Sequence, residues 1–238
     1  AIWARCNSAL PAASHCCANQ PASGTFTHDG VTFYYETYGQ GDPLLLIHGN
    51  GASLGSMAAQ IDFFKARYKV IAMDSREQGK SGSSDAPINY EVMADDLAAL
   101  LDHLKAGPAD VVGWSDGGIE GLLLAMRHPD KVKKLVAMAA NLNPSLEAIY
   151  PETEVMAKEM VTGMPEEAKS TPNGKRFLKV TGLLLSEPHI DPKSLAKITA
   201  PTLIVSSDQT VIRLEPTAAV FNNLPNAPLR APPDHTPM

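Results

Sequence analysis

From about Gly30 onward, hydrophobic positions recur with two alternating periods. Residues 31–39 (VTFYYETYG) alternate apolar and polar side chains and carry aromatic and β-branched residues, the pattern of an antiparallel edge strand. Residues 43–48 (PLLLIH) form a continuous apolar run with no alternation, as a strand covered on both faces requires. Met57, Ile61 and Phe64 then fall at helical spacing, and residues 69–74 (KVIAMD) read as a second buried strand. Met93, Leu97, Leu100, Leu101 and Leu104 lie on one helical stripe. Residues 109–114 (ADVVGW) read as the third buried strand, and Ile119, Leu122, Leu123 and Met126 give the following helix its apolar face. Another strand is expected over 132–138.

Strands alternating with helices imply an α/β fold, a mostly parallel sheet flanked by helices and built from right-handed crossovers. The alternation resumes with a strand at 201–207 (PTLIVSS), a short helix near 214–224 and a short strand near Leu229. Residues 142–195 contain helical stretches and no buried strand, so they read as a helical cap inserted between two parts of the core, 25–141 and 196–238. Open α/β sheets bind ligands beyond the carboxyl ends of their strands, where such a cap would cover a pocket. Met156, Met160 and Met164 recur every four residues. They read as a stripe facing the core, with a substrate-lining role as the alternative.

Residues 1–24 differ from the rest: they are rich in Ala, Ser, Pro and Cys and have no hydrophobic period. The segment reads either as a disordered tail or as the remnant of an export leader, whose apolar stretch Asn7 and Pro11 interrupt. All three cysteines, Cys6, Cys16 and Cys17, lie within it, so no disulfide framework is expected in the core. Neither Cys-x-x-Cys nor His-Glu-x-x-His occurs, and no metal is expected. A composition of 44% hydrophobic and 19% charged residues suits a globular domain. A net charge of −6 without a basic run argues against nucleic acid as a partner. No stretch approaches the roughly 18 apolar residues of a membrane span.

The chemistry concentrates at Gly113-Trp114-Ser115-Asp116-Gly117-Gly118. Gly-x-Ser-x-Gly occurs often by chance, but here it follows a buried strand and opens an amphipathic helix, the context of a nucleophile elbow. The turn must hold Ser115 in a strained conformation with its hydroxyl projecting, and side chains at Gly113 and Gly117 would clash. At the start of the helix, the N–H of Asp116 is free to bind an oxyanion, helped by the helix dipole. His48-Gly49-Asn50-Gly51 follows the first buried strand, and the N–H of Asn50 is the candidate second donor. His48 itself reads as a packing or hydrogen-bonding residue. Asp74-Ser75-Arg76 and the following Gln78-Gly79-Lys80-Ser81 read as a structural loop at the rim of the site.

Taken in order, HGNG, DSREQGKSG, the ADDLAALLDHL helix, GWSDGG and PTLIVSSD resemble the α/β-hydrolase superfamily, particularly its esterase-like and biphenyl-hydrolase-like members. The resemblance runs from roughly Gly30 to the end of the chain. It implies that Ser115 is the nucleophile, that an acid follows the PTLIV strand and that a histidine follows the last strand. Asp208 and His235 stand nearest those places. Two positions depart from the family pattern. Thr210 stands where the second Asp of Gly-Asp-x-Asp is expected, and Pro237 stands four residues after Pro233, where a histidine is common.

The resemblance therefore implies a serine hydrolase acting on small esters or amides through an acyl-enzyme, with no cofactor. Ser115 would attack, His235 would move the proton, Asp208 would orient the imidazole, and the N–H groups of Asn50 and Asp116 would hold the oxyanion. Dehalogenases and epoxide hydrolases of this fold use an Asp at the elbow, and Ser115 counts against both. A cofactor-free perhydrolase shares the serine triad. Thr210 and Pro237 motivate a further alternative, a catalytically impaired hydrolase fold that binds a small ligand.

Overall fold

The computed structural model of the chain describes residues 21–145, 148–206, 214–225 and 229–230. The first two strands, β1 (Ala22–His28) and β2 (Val31–Tyr38), form a hairpin around Asp29 and Gly30. Both turn residues have positive φ, 45° and 73°, the geometry that Asp-Gly favours because it matches the twist of the flanking strands. Phe26 and Phe33 stack across the hairpin with ring centroids 5.2 Å apart. Two sequence expectations change here. Ala22–Gly24, within the segment set apart as 1–24, are strand residues, because Thr37 to Tyr35 of β2 supply the pairing that their own side chains do not advertise. And β2 is not an edge strand, since β1 covers one side of it and β4 (Tyr68–Met73) the other.

The described strands make one eight-stranded sheet in the order β1-β2-β4-β3-β5-β6-β7-β8. The remaining members are β3 (Asp42–Ile47), β5 (Ala109–Trp114), β6 (Val132–Met138), β7 (Thr202–Val205) and β8 (Leu229–Arg230). From β4 to β8 every neighbour pairs in parallel. The period-two pleat of β3 divides its apolar run between two cores. Leu44 and Leu46 meet Met57 and Ile61 on one face, at and within α1 (Ala58–Phe64). Leu45 and Ile47 face the larger core, built with α2 (Tyr90–His103) and α3 (Asp116–Arg127). Asn89 caps α2 by accepting the N–H of Val92 at 2.9 Å.

The chain leaves β3 for β4 on one side and then crosses back to β5 on the other. The carboxyl ends of β3 and β5 therefore flank a topological switch point, the crevice where α/β sheets bind ligands. Between β6 and β7 lie α4 (Pro151–Thr162), α5 (Glu166–Lys169) and α6 (Pro172–Ser186), with α4 and α5 packed on α6. After β7 comes α7 (Leu214–Asn223). No helix among the described residues is long and apolar enough to cross a membrane.

The methionines of α4 overturn the core-stripe expectation. Thr153 and Ala157 are its buried residues, whereas Met156 and Met160 are 46% and 44% exposed. Met156 and Met160 follow Thr153 and Ala157 by three residues and so flank the buried stripe, but at that edge of the helix they border an open cleft instead of the core. Met164 falls beyond the end of the helix at Thr162 and does not extend the stripe.

Candidate active site

Ser115 joins β5 to α3 with φ 57° and ψ −120°, a conformation that L-residues adopt only under constraint. The constraint is visible in its backbone bonds. Its N–H donates to Met138 O at 2.8 Å, and its carbonyl accepts from Gly118 N at 2.8 Å and Ile119 N at 3.2 Å. The flanking glycines are required by space. A Cβ on Gly113 would lie 1.9 Å from Gly117 O, and one on Gly117 would lie 2.3 Å from Ile47 O. Gly121, a turn further on, lets α3 rest close to Leu135 of the sheet.

The loop after β3 passes directly over this turn. A Cβ on Gly49 would stand 3.2 Å from Ser115 Cβ and 3.2 Å from the Trp114 ring. The amide of Asn50 donates one proton to Asp116 Oδ2 and one to Val180 O, each at 2.8 Å. It thus ties the β3 loop to the first turn of α3 and to α6. The N–H of Asp116 is the first of α3, a position that helix geometry leaves without an intrahelical acceptor.

Behind the elbow lies a group of buried acids. Burial pushes the Asp116 carboxyl up to about 6, opposed by hydrogen bonding from Asn50, from the Tyr90 hydroxyl and from its own backbone N–H. Tyr90 is itself buried, and burial, with Asp116, Glu120 and Glu187 nearby, raises its hydroxyl well above the usual tyrosine range. Glu120 follows Asp116 by one turn of α3 and is buried with neither carboxylate oxygen hydrogen-bonded. Burial, reinforced by Asp116 and Asp96, holds its proton on far above the usual carboxylate range.

Two cavities meet these residues. A chamber of about 30 Å³ is bounded by Ser115 and Asp116 together with Tyr90, Asn141, Ile149, Thr153, Leu184 and Glu187. A cleft of about 500 Å³ has Asn50, Leu184, Met156, Met160, Phe177, Val180 and Arg176 in its walls. Leu184 belongs to both. Arg176 is tied across the cleft to the carbonyls of Glu77, Gly79 and Ser81.

Of the residues singled out in the sequence, the structure brings Ser115, Asp116 and Asn50 together. Asp208 and His235, like Thr210, Pro237 and the three cysteines, lie outside the described residues. The strands that precede Asp208 and His235 in the chain end level with the elbow: Arg230 of β8 pairs with Val205 of β7, Val205 with Met138, and Met138 with Trp114. His48 uses both ring nitrogens on the backbone, Nδ1 with Gly49 O at 2.8 Å and Nε2 with Ser75 N at 3.0 Å, and burial lowers its pKa. Asp74 braces its loop by accepting the N–H groups of Leu54 and Lys80, each at 2.7 Å. His28 and His128 pair with Asp96 and Asp95, and His103 stacks on Phe26.

Tyr90, Glu120 and Glu187 were missed. Glu120 had a readable signal, because it is the only acid after the first residue of the otherwise apolar GGIEGLLLAM stretch. Tyr90 and Glu187 carried none, being separated from Ser115 along the chain and brought to it only by packing.

Comparison with known proteins agrees with this fold. Residues 42–161 match the family model described as alpha/beta hydrolase fold. A 3-oxoadipate enol-lactonase of Acinetobacter baylyi is 35% identical over 114 residues, 47% of this chain and 43% of its own. A 2-hydroxymuconate semialdehyde hydrolase of a Pseudomonas species is 39% identical over 116 residues, 47% of this chain and 41% of its own. The aligned part is thus less than half the length of these curated relatives. The solved structure of Est816, described as an N-acyl homoserine lactone degrading enzyme, has a similar fold at TM-score 0.73 and 24% identity, covering 87% of this chain and 91% of that one.

Proposed function

The chain belongs to the α/β hydrolase fold family, and from that premise we propose that it is a serine hydrolase cleaving small carboxylic esters or amides through an acyl-enzyme on Ser115. The observation that carries the proposal is the strained Ser115, φ 57°, standing at a strand–helix junction and lining a chamber at the switch point of the sheet. Strain of this kind persists only where the surroundings over-determine it, and it concentrates at working sites.

In the proposed cycle, Ser115 Oγ attacks the carbonyl carbon while His235 takes its proton, and Asp208 holds the imidazole in the productive orientation. The N–H groups of Asn50 and Asp116 bind the oxygen as it gains charge. His235 then returns the proton to the leaving alcohol or amine, leaving an acyl group on Ser115. Water then attacks the acyl carbon while giving a proton to His235, and His235 returns that proton to Ser115 Oγ as the bond to the acyl group breaks and the carboxylic acid leaves. The burial of the Asp116 side chain and its bond from Asn50 support the oxyanion role, since they fix both donor segments before substrate arrives. Residues 142–195 act in this proposal as a cap, with Met156 and Met160 facing the bulk of the substrate. The lactone-cleaving relatives support the ester class.

Hydrolysis of p-nitrophenyl acetate and butyrate by the wild type beside Ser115→Ala tests this. Turnover by the wild type that falls to background in the variant is expected. Equal background rates in both would overturn the assignment for simple esters and favour the ligand-binding alternative.

A further inference from the structure

Glu187 follows the last turn of α6 and lines the chamber beside Ser115. No hydrogen bond or ion pair among the described residues holds its carboxylate. Burial raises its pKa, Glu91 adds to the rise, and only the exposed His189 opposes it. The C-terminal end of a helix carries partial negative charge and favours Lys, Arg or His. Glu187 is therefore partly desolvated, near a like charge and at the wrong end of a helix. Stability gives no reason for a carboxylate here.

The other charge on the chamber wall has the same sign. It belongs to Asp116, which lines the chamber and is ionised above about pH 6. The cations of the surrounding elements are engaged elsewhere: Lys179 with Glu77, Arg176 with loop carbonyls, Arg127 with Asp95 and Arg76 with Asp96. Tyr90, Asn141 and Thr153 add oxygens able to accept N–H bonds. A cavity needs roughly 10–15 Å³ to hold one water-sized group, so a chamber of about 30 Å³ fits an ammonium or a methyl and no ring.

We propose that Glu187 selects substrate by charge, so that the chamber accepts a small cationic group, such as a primary ammonium, close to the scissile carbonyl and rejects a carboxylate there. This rests on the reading of Ser115 as the nucleophile. The bulkier remainder of the substrate lies in the cleft lined by Met156 and Met160.

The test compares ethyl 3-aminopropanoate, ethyl butanoate and monoethyl succinate at pH 8, where Glu187 is more fully ionised. In the wild type, kcat/KM is expected to exceed that of the anionic ester by about tenfold or more for the cationic one, the neutral ester falling between. In Glu187→Gln the cation-to-anion ratio falls toward one, and in Glu187→Asp the cation is still preferred. Thermal unfolding of Glu187→Gln at or above the wild-type temperature is expected from a carboxylate with no structural role. A wild-type ratio near one, a ratio unmoved in Glu187→Gln, or marked destabilisation by that variant overturns the proposal. If no ester is turned over and Ser115→Ala changes nothing, the hydrolase reading fails separately. Calorimetric titration with propylammonium and with butanoate then decides the charge question. Preference for the cation, lost in Glu187→Gln, supports it, and equal or absent binding of the two overturns it.

Discussion

The side-chain amide of Asn50 donates to Asp116 Oδ2 at 2.8 Å, although 66 positions separate the two residues. These are also the residues whose backbone N–H groups are proposed to hold the oxyanion. One side-chain bond thus sets the spacing of two backbone donors, and the second amide proton extends the tie to α6 at Val180 O.

Asn50→Ala retains the backbone N–H but removes both bonds. It is expected to lower kcat for p-nitrophenyl acetate by about 10- to 100-fold, short of the ~10²–10³ typical for losing a donor outright. Leaving Val180 O and Asp116 with fewer partners costs about 1–3 kcal/mol of stability. Steady-state kinetics beside urea unfolding separates the two effects. Unchanged kcat would show that the side chain does not position the donors.

Glu120 makes stability depend on pH with a definite sign. Its folded pKa lies well above its ordinary value of 4.5, so the folded state holds a proton that the unfolded chain releases. The associated stability is full below pH 4.5 and declines as pH rises toward the folded value, by about 1.4 kcal/mol per unit. Asp116 acts in the same direction between 3.8 and about 6. Glu120→Gln has no such proton to release, so its stability relative to the wild type is expected to improve as pH rises above 4.5, until the folded Glu120 itself titrates. Urea unfolding of both proteins at a series of pH values above 4.5 measures the slope. A constant gap would mean that Glu120 titrates normally.

Gly117→Ala drives a methyl to within 2.3 Å of Ile47 O, a backbone atom with little freedom to move. A loss of about 1–3 kcal/mol is expected for such overpacking, with hydrolysis reduced at least as much as the elbow shifts. Gly182→Ala is the matched control. Its Cβ meets nothing within 4 Å on α6, and a gain of about 0.5–1 kcal/mol is expected. Melting temperatures moving in the same direction for both would contradict the packing described.

Met156 and Met160 are exposed, so polar replacements should leave folding nearly intact, within about 0.5 kcal/mol. If they line the substrate cleft, the double variant Met156→Ser, Met160→Ser raises KM for p-nitrophenyl hexanoate several-fold and leaves KM for the acetate near its wild-type value. Equal effects on both esters would detach these residues from acyl-chain binding.

Much of this molecule could be read from short stretches of chain. The apolar run 43–48 became β3 because four consecutive buried positions, Leu44 to Ile47, need cover on both faces, which only an interior strand obtains. The elbow was readable for the same reason: close approaches at Gly113 and Gly117 leave room for glycine alone, and that demand is written within five residues. The sequence by itself therefore determined the parallel core, the strand–turn–helix that presents Ser115 and the loop that brings Asn50 toward it. Which surfaces meet was decided only by tertiary structure. The covering of β2 by β1, the exposure of Met156 and Met160, the side-chain bond from Asn50 to Asp116 and the arrival of Tyr90 and Glu187 beside Ser115 all depend on contacts between distant segments. A side chain's period reports that it has an apolar or polar face. Only the packed neighbour on the other side sets whether that face closes a core or lines a cavity.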